Sequence, residues 1–163
     1  IVPHNYKVRI QFNSSDNVDL MVYEKLNDSS KLELLFRKWD LDLSDYVEVP
    51  QTEYESKYHG KTNSLDLVKK KLNWTDQTFI EIREKLSNAD CIGIVSGNPT
   101  AIDYGFKGMG KFGYLIFDEQ LDNEQQEKYS DDCMLLFYKD NVVLKYGSGA
   151  TGSLCTPEFA RTK

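Results

Sequence analysis

The clearest pattern lies at the start of the chain. In YKVRIQF, residues 6–12, Tyr6, Val8, Ile10 and Phe12 alternate with Lys7, Arg9 and Gln11, the signature of a strand with one face buried. The next apolar run, VDLMVYEKL at 18–26, suits a strand or a short helix equally well. SSKLELLFRKWDL reads as a helix. Ser30 with Glu33 has the spacing of a capping box, and Leu32, Leu35, Phe36 and Trp39 fall on one helical face.

Residues 42–62 are polar, contain Pro50 and Gly60, and are expected to form a long loop with a short strand at Tyr46–Val49. Two helices are expected next. One spans 64–72 with Leu65, Val68 and Leu72 on one side. The other spans 75–88 with Thr75 as N-cap, Asp76 in the first turn, and Phe79, Ile82 and Leu86 as its stripe. Trp74 and Phe79 occupy the two positions of a hydrophobic staple.

From residue 91 the pattern becomes strand-like: CIGIV (91–95), AIDYGF (101–106), FGYLIFD (112–118), CMLLFYK (133–139) and NVVLKYG (141–147). Lys139-Asp140-Asn141 offers residues that tolerate positive φ and predicts a tight hairpin. The short gaps favour antiparallel pairing, because parallel crossovers need a dozen residues or more. The fold class expected is α+β: an N-terminal strand and about three helices, then a mainly antiparallel sheet, a meander ending in a hairpin. The whole of 1–163 is expected to form a single globular domain, with 118–132 as an acidic connector.

Composition changes this picture little, since 40% hydrophobic and 28% charged residues are ordinary for one globular domain. No apolar run is long enough to span a membrane. Charge changes it more. The net charge is −6, and residues 118–132 hold seven acids against one base. Residues 40–55 hold six acids and no base, leaving the rest of the chain basic on balance. Two such acidic surfaces argue against nucleic acid as the main ligand and for a basic protein partner. Asp40, Asp42, Asp45 and Glu48 in one segment, with Asp118, Glu119, Asp122 and Glu124 in the other, are the candidate partner-binding residues.

The stretch GFKGMGKFGYLIFD resembles a phosphate loop in spacing only. A dinucleotide fingerprint needs a helix after its glycines, whereas YLIFD is strand-like. A kinase glycine loop needs V-A-I-K, H-R-D and D-F-G elements that the chain lacks, and Lys111-Phe112 does not complete a P-loop. A turn or bulge between strands is the expectation, with Lys107, Gly108, Gly110 and Lys111 as a candidate anion or ligand loop. YGSGATGS at 146–153 is a second glycine-rich exit from a strand, without a G-x-S-x-G elbow, though its backbone N–H groups could form an anion nest.

Catalytic and metal motifs are sparse. Asp40, Asp42 and Ser44 start like a calcium loop, but Asp45 stands where glycine is needed and Gln51 where glutamate is needed. His4 and His59 are the only histidines, and the three cysteines show no zinc spacing. A Cys133–His59 or Cys155–His59 pair would have to be assembled in space. Cys91 and Cys133 each open an apolar run and read as buried thiols. No metal, cofactor or catalytic residue is implied.

The leading expectation is a non-catalytic binding protein, of which an inhibitor or immunity-type protein is one case by analogy. A competing reading is a small enzyme or ligand-binding domain using the glycine-rich loops at 105–113 and 147–152, with Lys107, Lys111, His59 or Asp103. A third is an exported or surface-tethered module. The chain opens at Ile1 rather than Met, which fits a periplasmic, secreted or surface-anchored protein whose targeting segment has been removed, while its three sequons carry little weight in a chain rich in Asn, Ser and Thr.

Overall fold

A computed structural model of the protein describes residues 2–26, 31–44, 64–107, 110–130 and 134–147. The expected loop at 42–62, the strand at 46–49 and the nest at 148–153 therefore lie outside the described residues for most or all of their length. The described chain forms eight strands and three helices. Contacts divide it into two compact units, one of residues 1–89 and 93–96, the other of residues 90–92 and 97–163.

In the first unit, β1 (Tyr6–Phe12), β2 (Asn17–Lys25), β3 (Leu32–Asp42) and β4 (Gly93–Val95) pair antiparallel in the order β3-β2-β1-β4. The alternation of β1 does what its sequence implies: Val8 and Ile10 are buried, and their cross-strand partners Val22 and Leu20 are fully so. Helices α1 (Leu65–Leu72) and α2 (Asp76–Asn88) supply the other wall of the core. Leu65, Val68, Leu72, Trp74 and Phe79 cluster with the inner residues of the strands.

Both helix starts follow local chemistry. Ser64 Oγ accepts from the Leu67 N–H at 3.2 Å, and the Thr75 N–H donates to Thr78 Oγ1 at 3.0 Å. Asn73 closes α1 in the left-handed region at φ 55°, which an asparagine tolerates. The staple is present, with the Trp74 and Phe79 rings edge to face at 5.4 Å.

The helix expected over SSKLELLFRKWDL, residues 29–41, is instead β3. Two register shifts against β2, between Val18 and Leu20 and between Val22 and Tyr23, add extra residues to this strand. Leu35 and its neighbour Phe36 are both buried as a result, so a bulged strand imitates a helical stripe. The ends of that supposed stripe, Leu32 and Trp39, are exposed. The helices follow three strands rather than one.

In the second unit, β5 (Thr100–Lys107), β6 (Gly110–Ile116), β8 (Val142–Tyr146) and β7 (Leu135–Lys139) pair antiparallel in the order β5-β6-β8-β7. The expected meander is corrected here. The chain passes from β6 through α3 (Asn123–Ser130) to the outer strand β7, and returns by the hairpin so that β8 lies against β6. Asp140, at φ 49°, makes the hairpin turn. The stretch expected to be a connector contains helix α3. Its start carries a reciprocal cap: the Gln125 N–H donates to Asp122 Oδ1 at 2.8 Å, and the Asp122 N–H to Gln125 Oε1 at 3.1 Å.

Candidate functional site

The two acidic groups of the sequence differ in how their carboxylates are used. In the first unit, Asp40 takes a left-handed backbone at φ 47° and is tied down on both sides. Its N–H donates to Asp19 Oδ1 at 3.0 Å, and its Oδ1 accepts from Asn13 Nδ2 at 3.1 Å. Asp42 Oδ1 accepts from the Ser44 N–H at 2.8 Å and the Ser44 hydroxyl at 2.7 Å, holding the exit from β3. Asp45, Glu48 and His59 lie outside the described residues. No group of three or more His, Cys, Asp or Glu able to hold a metal occurs among the described residues.

In the second unit, Asp118, Glu119, Asp122, Glu124 and Glu127 are all exposed around the start of α3. Asp122 spends its carboxylate on the helix cap. None of the other four side chains is in an ion pair among the described residues. Helix α3 packs beside β7, where Leu136 and Tyr138 are 49% and 60% exposed. This places acids and large apolar side chains within one small unit. Sequence reading missed α3 and the exposure of Leu136 and Tyr138, although Asp122 with Gln125 three residues later is a capping signal.

The glycine-rich stretch forms the β5–β6 hairpin, in which Phe106 faces Lys111 and Lys107 faces Gly110. Gly108 lies outside the described residues. Lys111 is buried, and its Nζ lies 2.5 Å from Asp103 Oδ2, with 7% and 13% of the two side chains exposed. The Phe106 ring lies 5.5 Å from the same ammonium. Of the residues raised for a ligand loop, the structure thus brings Lys111 and Asp103 together.

The glycines near this pair have packing partners. A Cβ on Gly110 would come within 2.8 Å of the Tyr146 ring, and one on Gly113 would strike the Ile102 carbonyl. Cys91 is half-buried, and burial raises its thiol pKa first, with the carboxylates of Asp90 and Asp103 adding to the effect. A thiol held protonated in this way is a poor nucleophile at neutral pH. Cys133 and Cys155 lie outside the described residues.

Compared with known proteins, the chain has no match among family models, curated proteins or solved structures. No helix among the described residues is long and apolar enough to cross a membrane.

Proposed function

We propose that the chain is a non-catalytic binding protein that engages a basic protein partner through the acidic side of α3. The observation that carries this reading is the contrast between the two acidic groups. Asp40 and Asp42 are occupied in their own turns, whereas Asp118, Glu119, Glu124 and Glu127 stand exposed around α3. Exposed charge of one sign steers an oppositely charged partner, and the same unit also exposes Leu136 and Tyr138, residue types that can supply apolar contact. An inhibitor or immunity-type role remains one case of this class.

The test is capture of partners from source-cell extract by wild type and by Asp118→Lys/Glu119→Lys/Glu124→Lys. Asp122 is left intact because it caps the helix. A basic protein retained at low salt by wild type and lost by the variant supports the reading. Equal retention by both would return the segment to an ordinary solvated surface.

A second reading, a ligand site at the β5–β6 hairpin, meets the contact between Lys111 and Asp103. The two charges satisfy each other in a buried setting, so the lysine is committed rather than offered to an anion. Shifts of Gly110 and Lys111 amide signals on titration with inorganic phosphate would revive this reading.

A further inference from the structure

A cleft of about 190 Å³ opens in the first unit, between α2 and the turn that joins β1 to β2. Asp76, Phe79, Ile80 and Arg83 line it from α2, in the i, i+3, i+4, i+7 spacing of one helix face. Phe12 and Asp16 line it from the end of β1 and the turn that follows, and Leu43 from the exit of β3. The Leu43 N–H donates to the Asp16 carbonyl at 3.0 Å, which ties that exit to the turn. The walls are apolar. Phe79 is 2% exposed and belongs to the core cluster, with Phe12 and Leu43 packed against it, so these walls are held by packing.

The charged groups at the cleft are not equally available. Asp76 is answered by Lys69 at 2.6 Å. Arg83 donates from Nη1 to the Ser15 carbonyl, but its Nε and Nη2 make no hydrogen bond among the described residues. Its Nη1 lies 3.6 Å from Asp16 Oδ1, too far for a hydrogen bond. Asp16 accepts the Ser15 hydroxyl on Oδ2 at 2.6 Å, which leaves Oδ1 able to accept another donor. A cation with spare donors and an anion with a spare oxygen thus stand side by side on one apolar cleft.

We infer that this cleft binds a free α-amino acid with a ring-sized apolar side chain. The ligand's carboxylate takes the spare N–H groups of Arg83, its ammonium takes Asp16, and its side chain fills the space among Phe12, Leu43, Phe79 and Ile80. Size and charge each narrow the class. Pockets for drug-sized molecules start at roughly 300 Å³, so the ligand is smaller than those. An apolar cavity of about 150 Å³ holds benzene, so a ring fits. Arginine is suited to a carboxylate, which it grips with two parallel N–H groups. A plain carboxylic acid would bring a second anion beside Asp16, and a plain amine a second cation beside Arg83, and like-charge contacts oppose binding. An α-amino acid carries both charges on one carbon and so suits opposite charges 3.6 Å apart. The site belongs to the first unit alone and goes beyond the α3 reading, which stands or falls separately.

Titration of the isotope-labelled chain with L-phenylalanine at pH 7, followed by amide NMR signals, tests this. Saturable shifts should map to Asp16, Leu43, Phe79 and Arg83. Phenylpropionate lacks the ammonium and phenethylamine lacks the carboxylate, and each should bind at least about tenfold more weakly. Arg83→Gln should weaken L-phenylalanine by a similar factor. Because Arg83 also holds the Ser15 carbonyl, Ile80→Trp gives a second route. Ile80 is 36% exposed, so a larger ring there fills the cleft from a surface position and should abolish the shifts. The inference is overturned by the absence of saturable shifts up to the solubility limit, or by shifts that map elsewhere. Equal affinity for either one-charge analogue, or unchanged binding by Ile80→Trp, overturns it as well.

Discussion

The two units are built on different terms. The first closes strands and helices around a cluster in which Val18, Leu20 and Val22 have no exposed surface. In the second, Leu121 and Val143 are the buried hydrophobic residues among those described, and Lys111 is buried as a charge. The first unit follows the usual rule that apolar surface removed from water provides the main stabilisation. The second holds its hairpins by backbone pairing, by ring contacts such as Phe112 with Tyr146 at 4.6 Å, and by a shielded ion pair. The lesson is that both units leave some large apolar side chains uncovered, but the first is held by apolar burial and the second leans on pairing, ring contacts and a shielded charge pair.

The sharpest way to break the comparison is a truncation in each unit. Phe79→Ala removes a 2%-exposed ring from the first unit's core and the partner of Trp74. It should cost about 4 kcal/mol, read as a fall in the urea midpoint. Leu136→Ala on β7 should stay within about 0.5 kcal/mol. Similar losses in both variants would show that the two units are not built differently.

The ion pair gives the next largest effect. Lys111→Met leaves Asp103 charged and shielded without its cation, and should cost about 3 kcal/mol. Asp103→Leu combined with Lys111→Met removes both charges and should recover most of that loss. If the double variant is as unstable as the single one, the pair is needed for geometry rather than for mutual neutralisation. Equilibrium denaturation of both proteins decides the point.

How much was legible from the sequence follows the same division. β1, α1 and α2 were readable because each announces itself within a few residues: alternation in Tyr6–Phe12, the stripe of Leu65, Val68 and Leu72, a staple at Trp74 and Phe79. β3 was misread because its bulges place Leu35 and Phe36 together in the core, a spacing that a period-based reading assigns to a helix. In the second unit, Asp103 and Lys111 were both named, but only pairing of β5 with β6 brings them to 2.5 Å. The placement of β8 between β6 and β7 is likewise non-local, and no local signal encodes it. At the candidate site, the acids of 118–127 were visible as charge. Leu136 and Tyr138 were read as ordinary strand residues, because exposure depends on what the fold leaves uncovered.

A smaller effect is expected at Gly110. Its added Cβ would meet a Tyr146 ring already packed on Phe112, so the ring must shift. Gly110→Ala should cost about 1–2 kcal/mol, and Tyr146→Ala in the same chain should relieve the clash, leaving the two changes non-additive. Strict additivity in denaturation midpoints would show that the glycine serves something other than packing on that ring.

The smallest effect tests a polar contact on the well-cored unit, where charge is peripheral. Lys71 Nζ lies 3.0 Å from Glu24 Oε2, and the Tyr6 hydroxyl donates to Glu24 Oε1 at 3.1 Å. The bond from Lys71 lowers the Glu24 pKa first, with the Tyr6 bond adding to it against some desolvation. A carboxylate held below its unfolded value, about 4.3 for glutamate, stabilises the fold above that value. The contribution fades as pH falls through the lower, folded value. Both side chains are about a third exposed, with 33% for Lys71 and 31% for Glu24, so solvent screens much of the interaction. Glu24→Gln should therefore cost under about 1 kcal/mol at pH 7, and nothing at a pH low enough to protonate Glu24 in the folded state. Denaturation midpoints of the two proteins should converge as pH is lowered from 7 towards 3. A gap that stays constant over that range would assign the loss to packing, and the first unit's stability would then owe nothing to this charge.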